Sequence, residues 1–176
     1  MATDPYRKVR TGEVTVPEED VGANRALTDL IEGRLKPGVY QWRAPAAPGA
    51  GVAGADWPAR AEDRGWRAFY LNGRRARDKE SFLRLSAEAF DFPEWFGGNW
   101  DAFEDCLRDL SWAPTSRGYL VLYESWAELA EADQRAFRTA LDVLSGAVTA
   151  WQDTATPMSV LLSSIGVEVA GVPKLG

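Results

Sequence analysis

Three carboxylates in one short stretch, Asp101, Glu104 and Asp105, are the side chains of this sequence most able to do chemistry, and two indoles, Trp95 and Trp100, flank them. On a helix, Asp101 and Asp105 would stand one turn apart, roughly 6 Å at Cβ. That spacing is superficially close to the carboxylate pair of a retaining glycosidase. Acid–base chemistry needs more than spacing, because one carboxyl must be held protonated by burial or by a neighbouring charge. Nothing in the flanking residues does this. The sequence also contains no histidine, which removes His-based triads, His general bases and His metal ligands. No Asp-x-Asp-x-Asp-Gly calcium loop is present either. The carboxylates therefore read as a contact surface, with no catalytic residue, no metal ligand and no cofactor expected.

The elements that must position them are legible around the same stretch. Gly97-Gly98 allows a sharp turn, Asn99 is a good N-cap, and a helix is expected from Trp100. At about 100° per residue, Phe103, Cys106, Leu107 and Leu110 share one face, and Asp101, Glu104, Asp105 and Arg108 the other. The apolar face must be core. An acidic helix face is ordinarily just solvated surface, but such a surface seldom carries tryptophan, so carboxylates framed by indoles point to binding.

The run Phe-Pro-Glu-Trp-Phe-Gly-Gly-Asn-Trp-Asp-Ala-Phe-Glu-Asp-Cys-Leu, residues 92–107, resembles the signature of the barstar family, small intracellular inhibitors of barnase-type ribonucleases. Pro93, Glu94, Gly97, Asn99, Asp101, Ala102, Asp105, Cys106 and Leu107 fall in register without a gap, and a weaker resemblance extends from about Trp66 to Ser164. The resemblance implies that this helix and the loop before it cover a ribonuclease active site. By position, Asp105 matches the acid entering the enzyme's cationic site, Asp101 an acid pairing with its basic residues, and Trp95 an aromatic that stacks on it. Asn99 and Trp100 match contacting or framing positions. There are departures. Glu104 stands where the best-known member has tryptophan, and Arg108 interrupts the acidic face. The family's second acidic patch aligns near Val143, with Asp142 adjacent, and the loop from Ser111 to Gly118 is longer, leaving Trp112 unmatched.

Composition fits one globular domain with an extension: 176 residues, 45% hydrophobic, with eight tryptophans. The single cysteine excludes an internal disulfide and fits a reducing compartment, and the N-terminus lacks a signal-peptide core, so a cytoplasmic location is expected. Net charge is −6, but it is uneven. Ser86 to Asp133 holds eleven acids against two arginines, whereas Trp66 to Leu85 holds six basic residues against two acids. The acidic segment would repel phosphates and suits a basic partner. The expected partner is a basic extracellular-type ribonuclease or toxin, opposed by an immunity or inhibitor protein that is monomeric when free and contacts neither nucleic acid nor membrane. The alternative is an interaction module for a basic partner that is not a nuclease.

Along the chain, residues 1–21 show no periodicity and read as a loose start. Ala23 to Glu32 reads as a short amphipathic helix, Val39 to Trp42 as a strand, and Arg43 to Gly65 as an Ala/Pro/Gly-rich linker. Strands are then expected at Trp66–Leu71, Tyr119–Tyr123 and Met158–Leu162. Helices are expected after Asp78, after Asn99, at Ser125–Leu129 and after Asp133. Such alternation points to an α/β, three-layer, barstar-like fold with a small parallel sheet of about three strands and helical crossovers. The domain division is 1–65 as extension, a candidate source of one helix and one added strand, and 66–176 as the barstar-like domain. Because that pattern is complete from Trp66 onward, residues 1–60 are expected to be dispensable for folding; the alternative is that Val39 to Trp42 pairs at a sheet edge, in which case truncation should lower stability.

Overall fold

The structure is a computed structural model and describes residues 18–43 and 56–175. Its centre is a strand that cannot face water on either side. Tyr119–Tyr123 is apolar throughout, and all five residues are buried in β3 (Gly118–Glu124). Such a strand belongs inside a parallel sheet with helices on both faces. β3 pairs with β2 (Trp66–Asn72) from Trp66↔Gly118 to Asn72↔Glu124, and with β4 (Met158–Ser163) from Tyr119↔Met158 to Glu124↔Ser163. A short fourth strand, β1 (Val39–Gln41), pairs with β4, and all the pairs are parallel in the order β1-β4-β3-β2. Gly118 sets the start of the register: with φ at 154°, a Cβ there would meet the Pro157 carbonyl at 2.3 Å and the Trp66 ring at 2.7 Å.

Period-two alternation sorts the strand side chains between two cores. Phe69, Leu71, Tyr119, Val121, Tyr123, Met158, Val160 and Leu162 face α3 (Lys79–Ala89), α4 (Trp100–Asp109), α5 (Ala127–Ala132) and α6 (Gln134–Trp151). Asp78 caps α3 through a capping box with Ser81, and Asp133 caps α6 by accepting from the Ala136 amide at 3.0 Å. These are the helix starts expected from sequence.

The opposite core holds Trp66, Leu120, Leu122 and Leu161, covered by α1 (Glu18–Ile31) and α2 (Trp57–Asp63). Leu27, Leu30, Trp42, Trp57 and Ala61 are almost wholly excluded from solvent there. Two of the indoles on this side satisfy their N–H groups, Trp42 Nε1 donating to the Ala23 carbonyl at 3.0 Å and Trp66 Nε1 to that of Ile31 at 2.9 Å, whereas the buried Trp57 Nε1 has no hydrogen-bond partner among the described residues. The outer edge of β1 is met at Gln41 by the C-terminal tail. Gln41 receives the Leu175 amide on its carbonyl at 2.8 Å, donates its own amide to Pro173 at 2.8 Å, and binds Val169 and Val172 through its side chain. This part of the edge is thereby withheld from pairing with another strand.

Three sequence expectations change. α1 begins at Glu18, before Ala23, so the loose start, where it is described, is already helical; residues 1–17 lie outside the described residues. The supposed linker from Arg43 to Gly65 contains α2, and its residues 44–55 lie outside the described part. The expectation that residues 1–60 are dispensable meets a structural objection, because α1 and most of α2 cover one sheet face, joined there by Leu175 of the tail, and β1 adds a strand to the sheet. A 61–176 fragment should therefore bind a hydrophobic dye and lack a cooperative urea transition, as expected when specific packing is lost. In the full chain, Leu27→Ala should lower unfolding free energy by about 2–5 kcal/mol. A fragment that unfolds cooperatively at the full chain's midpoint would show the opposite.

Candidate functional site

α4 is set from both ends. At its start, Gly98 takes φ of 67°, a left-handed conformation suited to glycine, and Asn99 follows in extended geometry with Oδ1 accepting from the Ala102 amide at 2.8 Å. At its end, Leu110 adopts the left-handed conformation at φ 49° and donates its amide to the Cys106 carbonyl at 3.1 Å. Trp151, in the last turn of α6, donates Nε1 to the Leu107 carbonyl at 2.8 Å, satisfying a carbonyl that the terminating helix leaves free.

The inner face of α4 is fixed by aromatic packing. Phe103, Cys106 and Leu107 have no solvent exposure. Phe103 sits edge-on to Phe82 at 5.5 Å and to Phe92 at 6.0 Å. Phe92 in turn stacks on Phe90 at 5.4 Å and leans on Phe96 at 4.9 Å, so the loop of residues 91–99 is anchored by its own side chains. Trp112, unmatched in the sequence comparison, supports this loop: its Nε1 donates to the Phe90 carbonyl at 3.0 Å, and its ring meets Phe92 and Trp95 edge-on.

The outer face carries the charge. Asp101 and Asp105 are exposed, with Asp101 in the first turn, where the helix dipole favours an acid. Glu104 is half-buried and tied to Arg108 one turn on, Nη2 to Oε1 at 2.9 Å. Asp109 is exposed at the end of the helix. The two flanking indoles, alike in sequence, part company. Trp95 is 60% exposed, while Trp100 lies on Phe82 at 5.8 Å and on Phe103 at 6.2 Å and is largely part of the support. Asn99 is exposed, but its side-chain oxygen is committed to the cap. Asp142 is exposed on α6. Thus Trp95, Asp101, Glu104 and Asp105 present side chains outward, whereas Asn99 and Trp100 chiefly hold them in place.

The remaining chemistry of the region is quiet. Burial pushes the Cys106 thiol up to about 11, and the Asp109 and Asp105 carboxylates add to the shift, so the thiolate is scarce at neutral pH. Among the described residues, no three His, Cys, Asp or Glu side chains are grouped to hold a metal ion, and no helix is long and apolar enough to cross a membrane. A cavity of about 260 Å³ opens elsewhere, beside Arg74, Ser125, Glu128 and Ser164, with no residue of α4 in its wall.

Comparison with protein families places this geometry. The family model described as Barstar (barnase inhibitor) matches residues 66–163, more than half of the chain. The chain belongs to the barstar family. The matched segment runs from β2 to β4 and holds the loop of residues 91–99, α4 and β3, while α1, β1, α2 and the tail lie outside it. A search of curated proteins finds no match. Among solved structures, the chain is similar to the Aeropyrum pernix ORC2 protein, determined as ADPNP–ADP complexes, with a TM-score of 0.50 and 17% identity over 93% of this chain. The chain spans 43% of that protein's length, and the likeness is one of α/β fold alone. No Gly-x-x-x-x-Gly-Lys-Ser/Thr phosphate loop occurs in this sequence.

Two measurements probe this barstar-family helix. Asn99→Ala removes a cap and should cost about 1 kcal/mol in urea unfolding, whereas exposed Asp105→Ala should stay within about 0.5 kcal/mol. Cys106 should resist a thiol reagent at pH 8 until the chain unfolds. Its folded pKa lies above the ordinary value of 9.0, so the folded form keeps a proton that the unfolded form releases. Stability should consequently fall as pH rises from about 9 to 11, and Cys106→Ala should flatten that slope.

Proposed function

We propose that the chain is an inhibitor or immunity protein that binds a basic ribonuclease or ribonuclease toxin, laying α4 and the loop of residues 91–99 over the enzyme's phosphate-binding site. The observation that carries this reading is the two-sidedness of α4. Phe103, Cys106 and Leu107 are wholly buried, while Asp101, Glu104 and Asp105 face outward beside the exposed Trp95. A ribonuclease must gather cations around the phosphate it cleaves. Carboxylates held on a rigid helix offer those cations the charge of the substrate without a bond that can be cleaved. Trp95, resting on Trp112 with most of its ring exposed, supplies the kind of aromatic anchor that dominates interfaces. Membership in a family described as barnase inhibitors supports the same reading.

In this reading the protein performs no catalysis of its own. The absence of histidine from the sequence and the openness of the acidic face leave no evident acid–base pair, so inhibition follows from occupation alone. The cell's own RNA is spared when the enzyme's site is covered, which is the service an immunity protein renders in the compartment where the enzyme is made.

The immobilised chain should capture a basic protein from a lysate of the source organism, and the captured protein should cleave RNA when released. Asp105→Ala should weaken inhibition of that ribonuclease at least about thirtyfold, mainly through faster dissociation, and Asp109→Ala much less. Truncating one partner of a desolvated charge pair costs about 2–5 kcal/mol, a scale borrowed from interfaces of this kind, barstar's own included. Equal and mild effects of the two substitutions would remove α4 from the inhibitory surface. Capture of a basic partner without ribonuclease activity would point to an interaction module.

A further inference from the structure

The acidic strip of α4 is broken by one cation. Arg108 is about half exposed, and its guanidinium is drawn onto Glu104 at 2.9 Å, in the order along the helix that an i,i+4 ion pair favours. It also reaches sideways over α6 at a position with no side chain, since a Cβ on Gly146 would lie 3.8 Å from its Nη2. The guanidinium therefore occupies a defined place, within reach of anything that covers Asp101, Glu104 and Asp105. It has two effects on a partner. It compensates the charge of Glu104, and it presents donors where the neighbouring side chains present acceptors.

We propose that Arg108 is a specificity-determining residue of this surface: it disfavours ribonucleases whose phosphate site is cationic throughout, and favours one that offers a carboxylate opposite the guanidinium. The inference rests on the inhibitor reading above and sharpens it by describing the partner's charge pattern. A purely basic cleft brought over α4 would meet a like charge at Arg108, and the ion pair would have to rearrange before Glu104 became available. A cleft with an acid at the matching place would gain a charge-assisted, two-pronged hydrogen bond there, which arginine provides and lysine does not. Discrimination of this sort needs a repulsive element as well as attractive ones, and Arg108 supplies it.

Barnase, the enzyme named in the family's description, serves as one probe, and the ribonuclease captured from the source organism serves as the other. Inhibition constants would be measured for the wild-type chain, R108A and R108K against both enzymes, with urea midpoints as a check that folding is unchanged. R108A should inhibit barnase at least fivefold more tightly than wild type and the captured ribonuclease at least fivefold less tightly. R108K, which keeps the charge but loses the fork, should resemble wild type against barnase and fall between wild type and R108A against the captured enzyme. The proposal is overturned if R108A moves both constants in the same direction, if it moves neither, or if none of the variants inhibits barnase. The inhibitor reading fails separately, through an Asp105→Ala substitution that leaves inhibition of the captured ribonuclease intact.

Discussion

A parallel sheet whose middle strand is apolar from end to end has no face to give to water, and most of this molecule follows from that constraint. β3 and β4 bury side chains alternately above and below, so each face requires its own helical layer. One layer is supplied by the four helices between β2 and β4. The other comes from α1 and α2, which lie outside the segment that matches the barstar family. What began as an apparent appendage is half of the sheet's insulation. The edge obeys the same logic at Gln41, whose backbone groups and side chain the tail satisfies.

This insulation is what leaves α4 free to be a surface. Because its inner residues sit in a bed of phenylalanines and its ends are held by Asn99 and Trp151, its outer residues contribute little to folding and can be chosen for contact. Rigidity matters for a surface that works by charge. A carboxylate on a mobile loop would lose rotational freedom on binding, whereas one on a pinned helix is already in place. The aromatic loop extends the same support to Trp95, which stands out from the surface only because Trp112 and the Phe92 cluster hold its base.

Much of this was legible before any coordinates, for reasons tied to particular residues. Asn99 followed by a strict 100° alternation of acids and apolar residues defines α4, and the uninterrupted Tyr119–Tyr123 run defines a doubly covered strand; both signals are local. Trp95 and Trp100 show the limit. They look equivalent in sequence, and only the contact of Trp100 with Phe82, on another helix, separates support from display. α2 was hidden because only Trp57 and Ala61 of its seven residues are buried, although Pro58 just inside its start is a recognisable helix signal. The tail was illegible for a deeper reason. It is held largely through backbone groups and through Gln41, and main-chain hydrogen bonds leave almost no trace in side-chain pattern. The tie from Trp151 to Leu107 likewise joins residues far apart in the chain.

The edge arrangement also orders events during synthesis on the ribosome. Among the described residues β1 is the first strand to be made, yet its partners are Val160 to Leu162 on one side and, at Gln41, the stretch from Val169 to Leu175 on the other. α1 meets a comparable delay, because the apolar surface it covers comes from β2, β3 and β4. The pairing of β2 with β3 spans a much shorter length of chain and can form while translation is still under way. The nascent protein thus carries β1 unpaired until residues 158–175 have cleared the exit tunnel, and α1 and β1 are among the last of the described elements to find their places.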